Sequence, residues 1–280
     1  MTARLRIVHT TGFSYTAPVS SSYNEARLTP RSDIRQNVVA SHIETSPSVR
    51  QYRYTDYWGT TVTAFDVHTA HDRLEVTGTT VVETEAQTPA VETVDWAGLT
   101  DAAIVDGLDE MLGATAYTPF APELTVFAGR ITEGLSPAES VDAVIAAVHA
   151  EISYRPGSTG VYSTALDAWE RRAGVCQDYA HITLAMVRSL GIPARYVSGY
   201  LLPKGDAAVG ETVVGESHAW IETWTGEWRG VDPTNATGIG RHHVTVGIGR
   251  DYADVTPVKG IVTGGGSSGL DVSVRITLLA

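Results

Sequence analysis

Residues 74–83 alternate with a two-residue period. Leu74, Val76, Gly78, Thr80 and Val82 fall on one side, and Glu75, Thr77, Thr79, Val81 and Glu83 on the other. Successive side chains of an extended chain point to opposite faces, so the pattern predicts a strand with one covered face. Residues 51–67 are rich in aromatic and β-branched side chains around Trp58-Gly59, which predicts two strands and a turn. Residues 4–15 and 36–45 are further strand candidates. Several short strands with few helix signals predict an antiparallel β-sandwich-like domain over residues 1–90. Residues 84–92, polar and carrying Pro89, read as a linker.

The period then changes. Residues 99–112 are one helix candidate. Over 136–152, Ser136 stands at the N-cap, Pro137 at the first helical position and Glu139 where a capping box needs it. Val141, Val144, Ile145, Val148 and Ile152 form the apolar stripe of that helix. A shorter helix over 164–172 is expected to stop at Gly174 in the left-handed conformation. The next begins at Cys176 and runs to Leu190, with Ala180, Leu184, Val187 and Leu190 as its inner face and Gly191-Ile192-Pro193 as its stop. Strands are predicted at 194–202, 218–224, 228–231 and 271–279, with a Gly-containing charged loop at 204–216. The organisation is α+β, with residues 91–280 holding a helical segment and then helices packed on an antiparallel sheet.

Composition adds exclusions. The chain of 280 residues is 43% hydrophobic and 19% charged, values of a folded domain. A net charge of −12 repels phosphate backbones and anionic lipid, which speaks against nucleic-acid and membrane partners. One cysteine excludes an internal disulfide framework and any multi-cysteine zinc site. No apolar run has the length of a signal peptide or a membrane span, so the simplest location is the cytoplasm, where a lone thiol stays reduced.

That lone cysteine, Cys176, carries the candidate chemistry. Free cysteine is among the most buried residue types, and composition alone favours a core role. Its place at a helix start changes the picture. The positive end of the helix dipole and the unpaired backbone N–H groups there stabilise a thiolate and can receive an oxyanion. A nucleophilic thiol needs a base, and the base an orienting group. His218 opens the strand pattern H-A-W-I-E-T-W, and Asp232 follows in V-D-P-T-N. Antiparallel pairing through Thr225-Gly226-Glu227 brings Asp232 back beside His218. Taken singly, such a histidine or Asp-Pro is more often structural.

The blocks G-V-C-Q-D-Y-A-H, L-G-I-P-A-R-Y-V-S-G-Y, S-H-A-W-I-E-T-W and V-D-P-T-N, in that order, resemble the transglutaminase-like superfamily of papain-type thiol enzymes. S-Y-N-E-A-R-L-T-P-R, Y-T-D-Y-W-G, R-P-G-S-T and G-R-D-Y-A-D-V-T-P-V-K-G resemble its bacterial branch, which has an additional N-terminal β domain. The resemblance implies a papain-like core and a triad of Cys176, His218 and Asp232 acting on an amide or peptide carbonyl of a peptide or protein substrate. It implies a thioester resolved by water, as in a peptidase or amidase. Amine acyl transfer, as in a transglutaminase or a peptide-forming enzyme, and a non-catalytic binding module are the alternatives. The family context includes ATP-grasp and α-helical partner proteins. No cofactor is expected, and no metal: His242-His243 has no partner at ligand spacing, and no EF-hand loop is present. Tyr154 and Tyr162 lie upstream of the cysteine, where some transglutaminases carry an oxyanion-binding aromatic residue, but no motif fixes that role on either. His181, Trp220, Trp224 and Trp228 read as structural.

Overall fold

The alternation at 74–83 belongs to a strand in which Leu74, Val76, Gly78, Thr80, Val82 and Thr84 are all buried and the residues between them are not. The structure, a computed structural model, describes residues 2–87, 93–203, 207–215 and 217–280. Five strands come first: β1 (Thr2–Ala26), β2 (Gln36–Ser46), β3 (Gln51–Thr55), β4 (Thr61–Val67) and β5 (His71–Glu85). Helices α1 (Trp96–Leu99), α2 (Ala102–Leu108), α3 (Pro122–Ile131) and α4 (Pro137–Glu151) follow. Next are β6 (Ser153–Tyr154), α5 (Ala165–Arg171), β7 (Ala173–Gly174) and α6 (Cys176–Ser189). The remaining strands are β8 (Ala194–Leu201), β9 (Thr212–Gly215), β10 (Ser217–Trp224), β11 (Trp228–Asp232) and β12 (Thr237–Gly238), then β13 (His243–Gly249), β14 (Val258–Gly264) and β15 (Ser268–Leu278).

The fold is mixed α+β with two principal antiparallel sheets among the described residues. In the larger, β1 is the organising strand. Its residues 2–15 pair with β5 and β15, and its residues 19–26 with β4 and β14. The ladder is interrupted around Pro18, which has no N–H to donate, and β1 changes partners there. Ile43, Phe65, Val67, Leu74 and Val76 pack in the curl that results. The segment after residue 258 therefore returns to the sheet of the first 85 residues. Part of the expected loop at 204–216 is also strand, since β9 pairs with β15; residues 204–206 and 216 lie outside the described residues. So do residues 88–92 of the expected linker, and Thr84 and Glu85 end β5 instead.

The smaller sheet has the order β12-β11-β10-β8-β13, and α6 packs on it. All residues of α6 from Asp178 to Arg188 are buried, more than the single stripe expected, because helices α3, α4 and α5 cover the face that the sheet leaves open. The two sheets meet through Leu5, Ile7, Val82 and Ile276 against Tyr200, Leu202, Val244 and Val246. Gln36 joins them: its amide donates to Thr245 O at 2.7 Å and accepts from Thr245 N at 2.8 Å.

Two local expectations are corrected. The helix expected over 99–112 is two short helices and a turn, because Asp101 is extended and caps a new start at Ala103 N. Helix α3 carries no signal that the sequence reading used. The left-handed residue after α5 is Arg172, at φ 51°, and not Gly174. Gly174 is required for another reason: a Cβ there would lie 2.6 Å from the Cβ of Asp178. The α4 cap agrees with expectation, with Ser136 accepting from Glu139 N at 3.4 Å and Glu139 accepting from Ser136 N at 2.9 Å.

Candidate functional site

Cys176 is the first residue of α6, after an extended Val175. Its N–H is among those a helix start leaves without an internal acceptor. Asp178 shapes this start. Its carboxylate accepts from Val175 N at 2.7 Å and from the Thr159 hydroxyl at 2.6 Å. Burial pushes the Asp178 carboxyl up, against the pull of those two bonds. Gln177 donates to Val161 O at 3.1 Å, so the two residues after the cysteine tie down the segment 155–163 beside it. Tyr162 in that segment is 84% exposed, and Tyr154 lies opposite Gly174 in the β6–β7 pair.

The thiol faces the start of β10, with Sγ 3.9 Å from Ser217 O. His218, the next residue, is hydrogen-bonded to Cys176 on one side and Asp232 on the other. The β10–β11 hairpin pairs Ile221 with Val231 in the expected register and carries Asp232 back. His218 Nε2 stands 2.7 Å from Asp232 Oδ2, which leaves Nδ1 for the thiol. The structure thus brings together all three residues singled out in the sequence. Burial of the His218 ring opposes a proton, but the bonds with Asp232 and Cys176 outweigh it and push His218 up to about 10. Asp232 is fully buried. Burial alone would raise its carboxyl, yet the donors from His218, His243 and Asn235 hold it well below the usual carboxylate range.

His243 is the residue the sequence reading missed. It lies on β13, on the far side of β8 from β10, and its Nε2 is 3.2 Å from the same Asp232 Oδ2. The reactive atoms of His218, Asp232 and His243 all lie within 4.8 Å of one another, a cluster with metal-ligand composition. The hydrogen bonds describe a different use. Gly240 N–H donates to His243 Nδ1 at 3.1 Å, so Nδ1 is the unprotonated nitrogen and Nε2 carries the hydrogen. A nitrogen that donates to a carboxylate has no lone pair for a metal. Adjacent histidines in the sequence are no signal of this arrangement; only the β8–β13 pairing creates it.

The remaining residues of interest are structural in their contacts. His181 is fully buried between Tyr117 and Tyr196 and accepts from Tyr252 N at 3.2 Å. Burial, then the nearby Arg188 charge, pushes it down to about 3. Trp220 is fully buried with Val197, Ile239 and Ile248, and Trp228 stacks under Arg195. Among the described residues no helix is long and apolar enough to cross a membrane.

Residues 5–83 match the bacterial transglutaminase-like N-terminal region, and residues 126–233 the transglutaminase-like superfamily. A Mycobacterium leprae protein described as uncharacterised is 51% identical over 277 residues, 99% of each chain. A stretch covering 29% of this chain is 36% identical to 13% of a protein-glutamine gamma-glutamyltransferase from Pseudomonas aeruginosa. In fold, the chain is similar over its whole length to 92% of a crystal structure of a candidate cysteine protease from Cytophaga hutchinsonii, with a TM-score of 0.80 at 21% identity.

Proposed function

The chain belongs to the transglutaminase-like superfamily, and from that premise we propose that it is a thiol-dependent acyl-transfer enzyme acting on an amide or peptide carbonyl. Cys176 is the nucleophile, His218 the proton carrier and Asp232 its orienting group. The observation that supports this reading is the line of three side chains, with one imidazole bonded to both the thiol at a helix start and a buried carboxylate.

A protonated imidazole is the partner a thiolate needs. The Cys176 sulfur attacks the carbonyl carbon, and the charge that develops on oxygen faces the free N–H groups of the first turn of α6. As the C–N bond breaks, His218 passes its proton to the leaving amine. Asp232 holds Nε2, so the proton in play is the one on Nδ1. The thioester is then opened by water, whose proton His218 takes, returning the thiol and a carboxylic acid. A single free thiol is kept reduced in the cytoplasm, which is the location this reading takes.

A second reading replaces water by a primary amine. The similarity to a protein-glutamine gamma-glutamyltransferase favours it over the stretch concerned. Both readings share the first half-reaction, so one experiment precedes both. Alkylation by iodoacetamide is followed from about pH 4 to about pH 10 in the wild type and in His218→Ala. Fast labelling of Cys176 well below about pH 8, slowed in the variant, is expected. Labelling that follows an ordinary thiol near pH 8.5 in both proteins would sink the reading. Glutamine and peptide donors, with and without a primary amine, then separate hydrolysis from transfer by product mass.

A further inference from the structure

Asp232 collects five hydrogen-bond donors. Oδ1 accepts from Thr234 N at 3.0 Å and Asn235 N at 3.2 Å. Oδ2 accepts from Asn235 Nδ2 and His218 Nε2, both at 2.7 Å, and from His243 Nε2 at 3.2 Å. Four of the five come from the hairpin and loop that carry Asp232 itself. His243 alone arrives from the opposite side of the sheet.

His243 is also fixed with unusual economy. Its backbone N–H donates to Gly240 O at 3.0 Å, and Gly240 N–H donates to its ring Nδ1 at 3.1 Å. Its ring stands edge-on to the buried Trp220, 5.3 Å between centroids and 80° between planes. The result is a chain of defined polarity. Gly240 donates to His243, His243 donates to Asp232, and Asp232 accepts in turn from His218.

We propose that His243 is a positioning residue for the acyl-transfer site, holding the Asp232 carboxylate at the angle at which it orients His218. The role rests on the assignment of Cys176, His218 and Asp232 given above. A carboxylate bound only by its own loop can rotate with that loop. A donor from β13 pins Oδ2 against the sheet, and the His218 ring with it. Because the donor nitrogen is set by Gly240, the ring cannot switch to a tautomer that turns a lone pair toward Oδ2.

Two variants separate hydrogen bonding from packing. His243→Phe keeps a ring against Trp220 and removes the donor. His243→Gln removes the ring and keeps an N–H donor at the Nε2 position. The readout is iodoacetamide labelling of Cys176 at about pH 6, where an unassisted thiol is un-ionised. His243→Phe is expected to label roughly ten-fold more slowly, the equivalent of one hydrogen bond, and His243→Gln to recover most of that loss. A Phe variant as fast as the wild type overturns the positioning role. So does a Gln variant no faster than Phe. His218→Ala and Asp232→Asn run alongside: if neither changes the rate, the underlying triad fails; if both do and His243→Phe does not, only the His243 role fails. Should either variant unfold, 15N spectra of the wild-type histidines decide. The expected His243 has an unprotonated Nδ1 and a protonated Nε2, and the opposite tautomer overturns the proposal.

Discussion

His218 Nε2 and Asp232 Oδ2 are 2.7 Å apart, and neither side chain reaches bulk water freely. The pair is made by a hairpin only three residues long at its turn, so the geometry is set by local chain as well as by packing. Asp232→Asn keeps the shape and offers an amide where a carboxylate stood. Turnover is expected to fall by on the order of 10³–10⁴, as when a triad loses its tautomer lock. Kinetics on any accepted donor check it; a loss below about ten-fold would move the orienting role elsewhere.

The same pair fixes a pH dependence. His218 holds its proton more tightly folded than unfolded. The stabilisation this supplies is complete below the ordinary value of 6.5 and is lost as the pH rises through about 10. Asp232 acts with the opposite sign. Its carboxyl is depressed, so its contribution is present above the ordinary 3.8 and is lost as the pH falls through the lower folded value. The melting temperature of the wild type relative to His218→Gln is therefore expected to be highest on the acid side of about pH 6.5, before Asp232 takes up a proton, and to shrink as the pH rises toward about 10. A gap that widened on the alkaline side would reverse the sign.

Cys176→Ala is expected to abolish turnover at little structural cost. A half-buried small side chain at a helix start leaves almost no cavity, so the stability change stays within about 1–2 kcal/mol. Chemical unfolding measures it. A much larger loss would return the cysteine to a packing role.

Gly174→Ala tests the wall behind the thiol. The new methyl would meet Asp178 Cβ at 2.6 Å and its carboxylate oxygen at 2.7 Å, in a helix start that has no slack. A loss of about 1–3 kcal/mol is expected, together with slower alkylation of Cys176 as α6 shifts. Unchanged labelling would mean that the helix start tolerates displacement.

Gln36→Leu tests the join between the sheets. Thr245 N would lose its acceptor in a buried place, while Thr245 O would keep only its bond from Arg31 N, and a loss of about 1–3 kcal/mol is expected. Urea unfolding at unchanged slope checks it.

What the sequence made legible was local. The capping box at Ser136 and Glu139, the turn at Trp58-Gly59 and the hairpin that returns Asp232 to His218 each depend on residues a few positions apart. What it hid depends on distant partners. The contact of His243 with Asp232 requires β13 to pair with β8, and no period in the chain announces that pairing. The break between α1 and α2 rests on one capping aspartate, Asp101, inside a run that otherwise has a helical period. The Gly174 requirement was read as a backbone conformation and is in fact a steric one, visible only once Asp178 is in place. The destination of residues 268–278 was undecidable, because a strand pattern does not say which sheet edge it will meet.

That destination governs how the chain assembles. β1 cannot be flanked on both sides until β15, some 250 residues later, has left the ribosome. The first sheet is thus begun early in synthesis and closed late, and Cys176, His218 and Asp232 all lie in the stretch threaded between. A nascent chain carries an open strand edge for most of its translation, a hazard for edge-to-edge association. Pairing across so great a sequence distance places folding at the slow end of the range for its size. The sheet that carries His218 and Asp232 does not contain β15, but it packs through Tyr200, Leu202, Val244 and Val246 on the sheet that β15 joins, so its support is completed late.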